Sequence, residues 1–156
     1  MYSRRPIADT RRKRVTSTPE SEPATAPKAE PATTPKKVYE GLIGDFGAGW
    51  EKGDADKISG LFTDDGLFFP NPLEGPAKGR DAIRAYWKDT PKEQAEIKFR
   101  AGEIFIAGPW FSTEFKCTFR RRRTGESVTV RGALFCETID GKLSEMRMYW
   151  HRSVSR

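Results

Sequence analysis

The sequence is poor in the residues that build metal centres and disulfides. Histidine occurs once and cysteine twice among 156 residues. One histidine argues against a histidine-ligated metal or a serine–histidine triad, and two cysteines cannot make a disulfide framework. We therefore expect no metal, no cofactor and a reducing, intracellular compartment, with the organelle left open.

Long hydrophobic runs are missing as well. No apolar run approaches the ~18 residues of a membrane-spanning helix. No apolar segment follows the N-terminal arginines, as one would in a secretory signal. The sequence thus predicts neither a transmembrane span nor a secreted protein.

The first part of the chain differs in composition from the rest. Residues 1–37 contain no Leu, Phe, Trp or Cys and hold six of the eleven prolines. Such a segment cannot bury enough apolar surface to offset its ordering entropy. We therefore predict a disordered or extended tail over 1–37 and one folded domain over 38–156.

The basic charge of the chain is concentrated in this tail. It carries nine Lys and Arg against four Asp and Glu, whereas the other 119 residues carry 19 against 18. This near balance argues against nucleic-acid binding by the folded body. The tail itself suits phosphates, an acidic lipid surface or the acidic groove of a larger protein assembly, and a targeting segment has similar composition. Its candidate partner-binding residues are Arg4, Arg5, Arg11, Arg12, Lys13 and Arg14.

The folded body begins with helical patterns and continues with strands. Apolar spacing predicts helices over 36–54, 55–63 and 80–89. Gly53 suits the end of the first helix, and Asp54 suits the cap of the second. Gly44, Gly47 and Gly49 weaken the first helix by ~1 kcal/mol each relative to Ala, so either something packs closely there or the helix is marginal alone.

Alternating patterns predict the strands, over 67–69, 96–107, 110–121, 127–139 and 142–153. Asp140-Gly141 predicts a tight hairpin between the last two. Helices followed by long antiparallel strands predict an α+β domain with the helices on one face of the sheet.

The register across Thr124-Gly125 has two solutions. A two-residue loop places Phe115 opposite Leu134, and a three-residue loop with a glycine bulge places it opposite Ala133. We prefer the second, because only it puts Phe135 on the face of Phe115. Cys117 and Cys136 then face opposite sides and cannot bond.

Three stretches carry a family resemblance: "GWEKGDADKISGLFTDDGLFFPNP", "GRDAIRAYW" and "DGKLSEMRMYW". In this order they resemble the SnoaL-like branch of the nuclear transport factor two superfamily, to which the ketosteroid isomerases are related. The resemblance covers roughly residues 38–152. It implies a cone, in which a strongly curved antiparallel sheet wraps three N-terminal helices around a pocket. Members include lyases, isomerases, cyclases and non-catalytic binders, so the fold alone does not choose a function.

The resemblance also implies where the catalytic residues of a ketosteroid isomerase would fall. The oxyanion tyrosine falls on Phe46, the general base on Pro70 or Asn71, and the second oxyanion donor near Phe135. Proton abstraction needs a base within hydrogen-bond reach, and none of these side chains can serve. The chain is therefore not expected to be a ketosteroid isomerase.

Three polar residues remain as catalytic candidates. Asp65 is the candidate acid on the first strand. However, Asp64-Asp65-Gly66 is better explained as the junction at which a helix ends and a strand begins, where Asp and Gly are common. Tyr86 and Asn71 are the remaining polar groups best suited to orient a ligand.

Inward-facing aromatic and methionine side chains are expected to form the pocket. Such a lining suits a small, flat apolar ligand, although the same side chains could simply fill the cone. The expected lining residues are Phe46, Trp50, Phe68, Tyr86, Trp87, Phe115, Phe119, Phe135, Met146, Met148 and Trp150.

Three functional hypotheses follow, one of which is nucleic-acid binding by the basic tail alone. The preferred one is a non-catalytic accessory or assembly subunit that docks on a larger partner through its basic arm and pairs with a second copy through the convex sheet face. The alternative is a small-molecule enzyme, a lyase, isomerase or cyclase, with an apolar pocket.

Overall fold

The structure is a computed structural model that describes residues 36–156. The predicted tail and its candidate partner-binding arginines lie outside these residues, except that Lys36 and Lys37 begin the first helix. The helices are α1 (Lys36–Lys52), α2 (Ala55–Gly60), α3 (Gly79–Lys88) and α4 (Thr90–Glu93). The strands are β1 (Phe62–Phe69), β2 (Ala77–Lys78), β3 (Gln94–Ala107), β4 (Trp110–Arg121), β5 (Ser127–Ile139) and β6 (Lys142–Ser155).

The strands form one six-stranded sheet in the order β2-β1-β6-β5-β4-β3. The pairings are antiparallel except that of β1 with β6, which is parallel. The expected α+β fold is confirmed, with a curved sheet that is mixed rather than wholly antiparallel. A parallel pair is possible here because β1 and β6 are joined through the rest of the domain and not by a hairpin.

The junction of α1 and α2 follows the predicted chemistry. Gly53 has a φ of 66°, the left-handed conformation that ends many helices. The Asp54 side chain accepts a hydrogen bond from the backbone N–H of Lys57 at 2.9 Å and so caps α2.

The close packing expected at the glycines of α1 is confirmed at two of them. A Cβ atom on Gly47 would lie 2.3 Å from a ring carbon of Phe99, and one on Gly49 would lie 2.6 Å from Ile58. A Cβ atom on Gly44 would meet nothing within 4 Å. Gly47 therefore lets α1 approach the sheet, whereas Gly44 only weakens the helix.

The β4–β5 connection is longer than expected, and both predicted registers are wrong. Arg121 and Glu126 pair through their backbones, so the turn contains the four residues 122–125. Phe115 consequently lies opposite Gly132. The shift moves Phe135 to the outer face of the sheet, which points away from the helices, where it is 44% exposed.

The same register shift places both cysteines on one face of the sheet, whereas opposite faces were expected. Cys117 and Cys136 are both buried on the inner face, opposite Val130 and Phe111 respectively. They lie six register positions apart, a separation of ~20 Å along the strands, so they remain free thiols. The hairpin at Asp140-Gly141 is confirmed, with Ile139 opposite Lys142.

The core lies between the helices and the inner face. The Phe46 ring packs edge-on against the rings of Trp87 and Phe99, at centroid distances of 5.4 and 5.8 Å. The ring of Phe99 stacks on that of Phe115 at 5.8 Å. This aromatic layer fixes α1 and α3 against the sheet.

Two glycines of α1 provide a matched test of this packing. Gly47→Ala should lower the free energy of unfolding by about 1–3 kcal/mol, because the new methyl group displaces the Phe99 ring. Gly44→Ala should raise it by about 0.5–1 kcal/mol, since alanine favours the helix and meets open space. Urea unfolding of the two variants measures both effects, and equal stabilisation by the two would contradict the close approach.

Candidate ligand-binding and active site

A cavity of about 360 Å³ opens where the C-terminal end of α1, helices α3 and α4 and the inner face of the sheet meet. The end of α1 contributes Trp50, and α3 contributes Tyr86 and Trp87. The inner face contributes Phe119 of β4, Val130 of β5 and alternate residues of β6. The complete lining is Trp50, Pro70, Tyr86, Trp87, Asp89, Thr90, Glu93, Gln94, Phe119, Val130, Met148, Trp150 and Arg152.

Two tryptophans of the wall are held by hydrogen bonds at their indole nitrogens. Trp50 Nε1 donates to Gln94 Oε1 at 3.0 Å, and Trp150 Nε1 donates to the carbonyl of Pro70 at 2.7 Å. The Trp50 ring packs at 64° against that of Trp87, with centroids 5.1 Å apart. The wall is therefore apolar, and the indole N–H groups of Trp50 and Trp150 are satisfied. Over residues 36–156, the indole Nε1 of Trp87 is buried without a hydrogen-bond partner.

The polar groups of the cavity come from opposite sides. Asp89 and Glu93 lie on or beside α4, and Arg152 lies at the end of β6. The Asp89 carboxylate pairs with Lys92 at 2.7 Å. Within residues 36–156, neither the Glu93 carboxylate nor the Arg152 guanidinium makes an ion pair. A carboxylate and a guanidinium thus stand without an ion-pair partner at the mouth of an apolar cavity.

Tyr86 is the polar group best coupled to this cavity. Its side chain is partly exposed, and its ring packs against that of Phe68 at 5.1 Å. Burial raises the pKa of Tyr86 above its ordinary value of 10.0, and the charges of Glu74 and Glu93 raise it further. The phenol therefore keeps its proton at neutral pH and acts as a hydrogen-bond donor.

Six of the eleven expected lining residues line this cavity: Trp50, Tyr86, Trp87, Phe119, Met148 and Trp150. Four others, Phe46, Phe68, Phe115 and Met146, are buried in the core behind it. Phe135 lies on the outer face, because of the register shift described above.

The structure does not bring Asp65 or Asn71 into the cavity. Asp65 is exposed and accepts a hydrogen bond from Thr63 Oγ1 at 3.1 Å, in the irregular part of β1. The Asn71 side chain accepts the backbone N–H groups of Leu73 and Glu74 and so shapes the loop after β1. The Asp65 carboxylate is thus engaged by a neighbouring side chain and the Asn71 amide by the local backbone, and such local bonding is the usual role of Asp and Asn at these junctions.

The positions at which the family resemblance places the ketosteroid isomerase residues carry no acid–base groups. Phe46 is fully buried, and Pro70 presents no titratable side chain. Because Phe135 points outward, the inward neighbours on β5 are Leu134 and Cys136, both fully buried. No residue in these places can abstract a proton.

Sequence reasoning missed the polar half of the cavity. Arg152 continues the inward alternation Met146, Met148, Trp150, so extending that pattern by two residues would have found it. The short helix α4 and its two capping residues contribute Asp89, Glu93 and Gln94. From the sequence alone, Pro91 was interpreted only as a separation between α3 and the next strand. Because Pro is favoured in the first turn of a helix, Pro91 could instead have indicated that a short helix begins here.

The thiols are unsuited to nucleophilic chemistry. Burial raises the pKa of Cys117 to about 12, and burial raises that of Cys136 as well. A thiolate is the reactive form, so both residues act as small apolar core groups.

Within the described part of the chain, no three His, Cys, Asp or Glu side chains gather as metal ligands. No helix over 36–156 is long and apolar enough to cross a bilayer.

A second cavity of about 360 Å³ lies between α1 and the edge strand β3. Its cation, Arg100, lies 3.7 Å from Glu51, and the same carboxylate accepts the backbone N–H of Phe99. Arg100 and Glu51 therefore hold β3 to α1, and Glu40 is the remaining charged residue of the groove. The cavity lined by Trp50, Trp87 and Trp150, called the mouth cavity below, is the better candidate site.

Comparison with known proteins agrees with this architecture. The family model of the SnoaL-like domain matches residues 43–146. The chain belongs to this family. No curated protein sequence matches it significantly.

Solved structures show the same fold in enzymes of several kinds. A proposed isomerase from Bacillus subtilis superposes with a TM-score of 0.69 at 22% identity, over 76% of this chain and 90% of that one. The epoxide hydrolase/cyclase-like enzyme SalBIII, of pyran ring formation in the polyether salinomycin, gives 0.66 at 20%, over 77% and 97%. The Δ5-3-ketosteroid isomerase from a Mycobacterium species gives 0.64 at 15%, over 76% and 98%. At such identities the likeness shows the fold alone.

The electrostatic coupling at Tyr86 can be measured by titration. Replacing Glu74 and Glu93 by Gln should lower the Tyr86 pKa, because two negative charges that disfavour the phenolate are removed. The pKa should stay above 10.0, since burial is the largest cause of the shift. Tyrosinate absorbance, with Tyr86→Phe to assign the phase, gives the value. Glu40→Gln, on a distant face of α1, should leave it unchanged, and an equal shift in that variant would refute the coupling.

Proposed function

We propose that this protein binds a small, flat apolar molecule in the mouth cavity and catalyses a proton transfer on it, as an isomerase, lyase or cyclase does. The observation that carries the proposal is the pairing of an apolar tryptophan wall with unpaired polar groups from opposite sides. The solved structures of similar fold support it, because they include enzymes of these reaction classes.

The wall supplies binding. A ligand that replaces water against Trp50, Trp87 and Trp150 gains about 25 cal/mol for each Å² of apolar surface removed from water. The indole N–H groups of Trp50 and Trp150 are already bonded, so they present ring faces rather than free donors to the ligand. This favours a ligand whose body is apolar and whose polar atoms lie toward the mouth.

The mouth supplies acid–base chemistry. The Glu93 carboxylate is the general base that removes a proton from carbon next to a carbonyl group or a leaving group. The protonated phenol of Tyr86 and the guanidinium of Arg152 stabilise the negative charge that develops on oxygen. Asp89 is less available as a base, because Lys92 occupies its carboxylate.

Ligand binding is tested first, by thermal unfolding with a panel of flat apolar carbonyl compounds. A ligand at 100 times its Kd stabilises the native state by about 2.7 kcal/mol, so the Tm of wild type should rise by several degrees. Trp150→Ala should abolish the shift. Tyr149→Ala is the matched control, because the neighbouring side chain points to the outer face. A panel that leaves the Tm unchanged would count against the pocket.

Catalysis is tested by hydrogen exchange on a bound compound. In D₂O, NMR should show enzyme-dependent incorporation of deuterium at the carbon next to the carbonyl group. Glu93→Gln should slow this exchange by about 10²–10⁴-fold while the thermal shift persists. Asp89→Asn, in the same cavity, should slow it far less. Unchanged exchange in Glu93→Gln would remove Glu93 from the mechanism.

The accessory-subunit hypothesis remains a prediction, because its basic arm lies outside the described residues. Affinity purification of the full chain beside a chain lacking residues 1–37 distinguishes it from the enzyme proposal. A stable partner recovered only with the tail would support docking. The same solitary species from both chains would exclude it.

A further inference from the structure

Helix α4 carries Glu93, the proposed general base, yet it buries no side chain. It contains four residues, and none of them is buried. A helix this short makes almost no internal hydrogen bonds, so its own propensity cannot fix its position. The last carbonyl groups of a helix also have no partner inside the helix. The place of Glu93 at the mouth cavity therefore has to be set by groups outside α4.

Arg122, in the turn between β4 and β5, bonds two of these carbonyl groups. Its backbone N–H donates to the carbonyl oxygen of Glu93 at 2.9 Å. Its guanidinium Nε donates to the carbonyl oxygen of Pro91 at 2.7 Å. One residue of the turn thus holds the backbone of α4 at two points, and one of these points is the residue that carries the base.

A second contact to α4 comes from the end of α1. A Cβ atom on Gly53 would lie 2.2 Å from Cγ of Pro91, so the proline ring packs directly on the glycine. Apolar packing of this kind is non-directional, whereas a hydrogen bond weakens steeply when its angle is bent. Gly53 therefore gives α4 a surface to rest on, and Arg122 gives it an orientation.

Arg122 belongs to a run of four arginines over 120–123, whose other members have different contacts. Arg120 and Arg121 pair with carboxylates outside α4, at 3.4 and 2.8 Å. Arg123 is exposed, as Arg122 is. Within residues 36–156, the Arg123 side chain makes neither an ion pair nor a hydrogen bond. Arg123 therefore matches Arg122 in charge and exposure but has no contact with α4.

We propose that Arg122 is a positioning residue that holds the Glu93 carboxylate at the mouth cavity by fixing the backbone of α4. Arg122 does not itself line the cavity, so it acts through Glu93 rather than on a ligand. The catalytic consequence rests on the proposed function, in which Glu93 is the general base. The structural consequence does not rest on it, and the two are measured separately.

The structural consequence is measured through Tyr86, because the charge of Glu93 contributes to the raised pKa of that phenol. Arg122→Ala should release α4, move the carboxylate away and lower the Tyr86 pKa. The sign is informative, since loss of a cation by itself would raise a tyrosine pKa by disfavouring the phenolate. Tyrosinate absorbance, with Tyr86→Phe to assign the phase, gives the value. Glu74, whose charge acts in the same direction, is unchanged in all variants.

A double-mutant cycle assigns this effect to Glu93. In the Glu93→Gln background, Arg122→Ala should no longer lower the Tyr86 pKa, because the charge that moves is already absent. A fall as large as in wild type would identify lost burial of the phenol, rather than a displaced Glu93, and would overturn the proposal.

The catalytic consequence is measured by deuterium exchange on a bound carbonyl compound. Arg122→Ala should slow this exchange by about 10–100-fold at saturating ligand, since a displacement of about 1 Å can cost a factor of this size. The rise in Tm that the ligand causes should persist, because the tryptophan wall is unchanged. Loss of the Tm shift together with the exchange would mean that the wall was disturbed, and would contradict a positioning role.

Arg123→Ala is the matched control, because it removes the same charge from the neighbouring exposed position of the turn. It should keep the wild-type Tyr86 pKa and exchange rate. Equal effects in the two variants would make the total charge of the turn responsible, and not its hydrogen bonds to α4, so the proposal would fail. Circular dichroism establishes that all variants are folded.

The outcomes separate the role of Arg122 from the proposed function. An unchanged Tyr86 pKa and exchange rate in Arg122→Ala, with slow exchange in Glu93→Gln, would refute the role of Arg122 and leave that of Glu93 intact. A Tyr86 pKa that falls as expected, with exchange that Glu93→Gln does not slow, would confirm that Arg122 places the carboxylate. It would at the same time remove Glu93 from the mechanism.

Discussion

The contact between Gly47 and the ring of Phe99 is the constraint on which the site depends. Without a Cβ atom at Gly47, α1 lies close enough to β3 for the aromatic layer to close. One turn later, Trp50 reaches Gln94 at the start of β3 and the ring of Trp87 on α3. The glycine weakens the helix, and this cost is offset by the packing it permits. The position of the cavity wall therefore follows from a residue that does not touch the cavity.

Side chains alternate between the two faces of the sheet, so the apolar cavity and the polar outer surface are kept apart. Along β6, Met148 and Trp150 point inward to the cavity, whereas Tyr149 and His151 point outward. Because successive side chains of a strand face opposite sides, one segment contributes to an apolar cavity and to a polar surface without conflict. Net charge summed over the folded body conceals this arrangement, since it averages over both faces and the helices.

The sequence predicted most of the fold because each signal was local. The glycine and aspartate at 53 and 54, the hairpin at Asp140-Gly141 and the alternation of β4 each depend on a few neighbouring residues. The β4–β5 register was not predictable in this way, because the turn of residues 122–125 offers several loop lengths of similar cost. A slip of one residue reverses the faces, and it moved Phe135 out of the predicted pocket. The polar half of the site was missed for a related reason, since α4 is too short to show a period.

The position of Glu93 also bears on how this fold supports different chemical reactions. The three places where the family resemblance puts the catalytic residues of ketosteroid isomerases hold groups that cannot transfer a proton. This argued against catalysis as long as only the sequence was considered. The structure instead offers Glu93 on a short helix at the mouth and Arg152 on the last strand. These elements lie at the rim, where substitutions disturb the core little, whereas the buried positions serve packing. Loss of one set of catalytic residues therefore does not exclude a site assembled from another part of the same cavity.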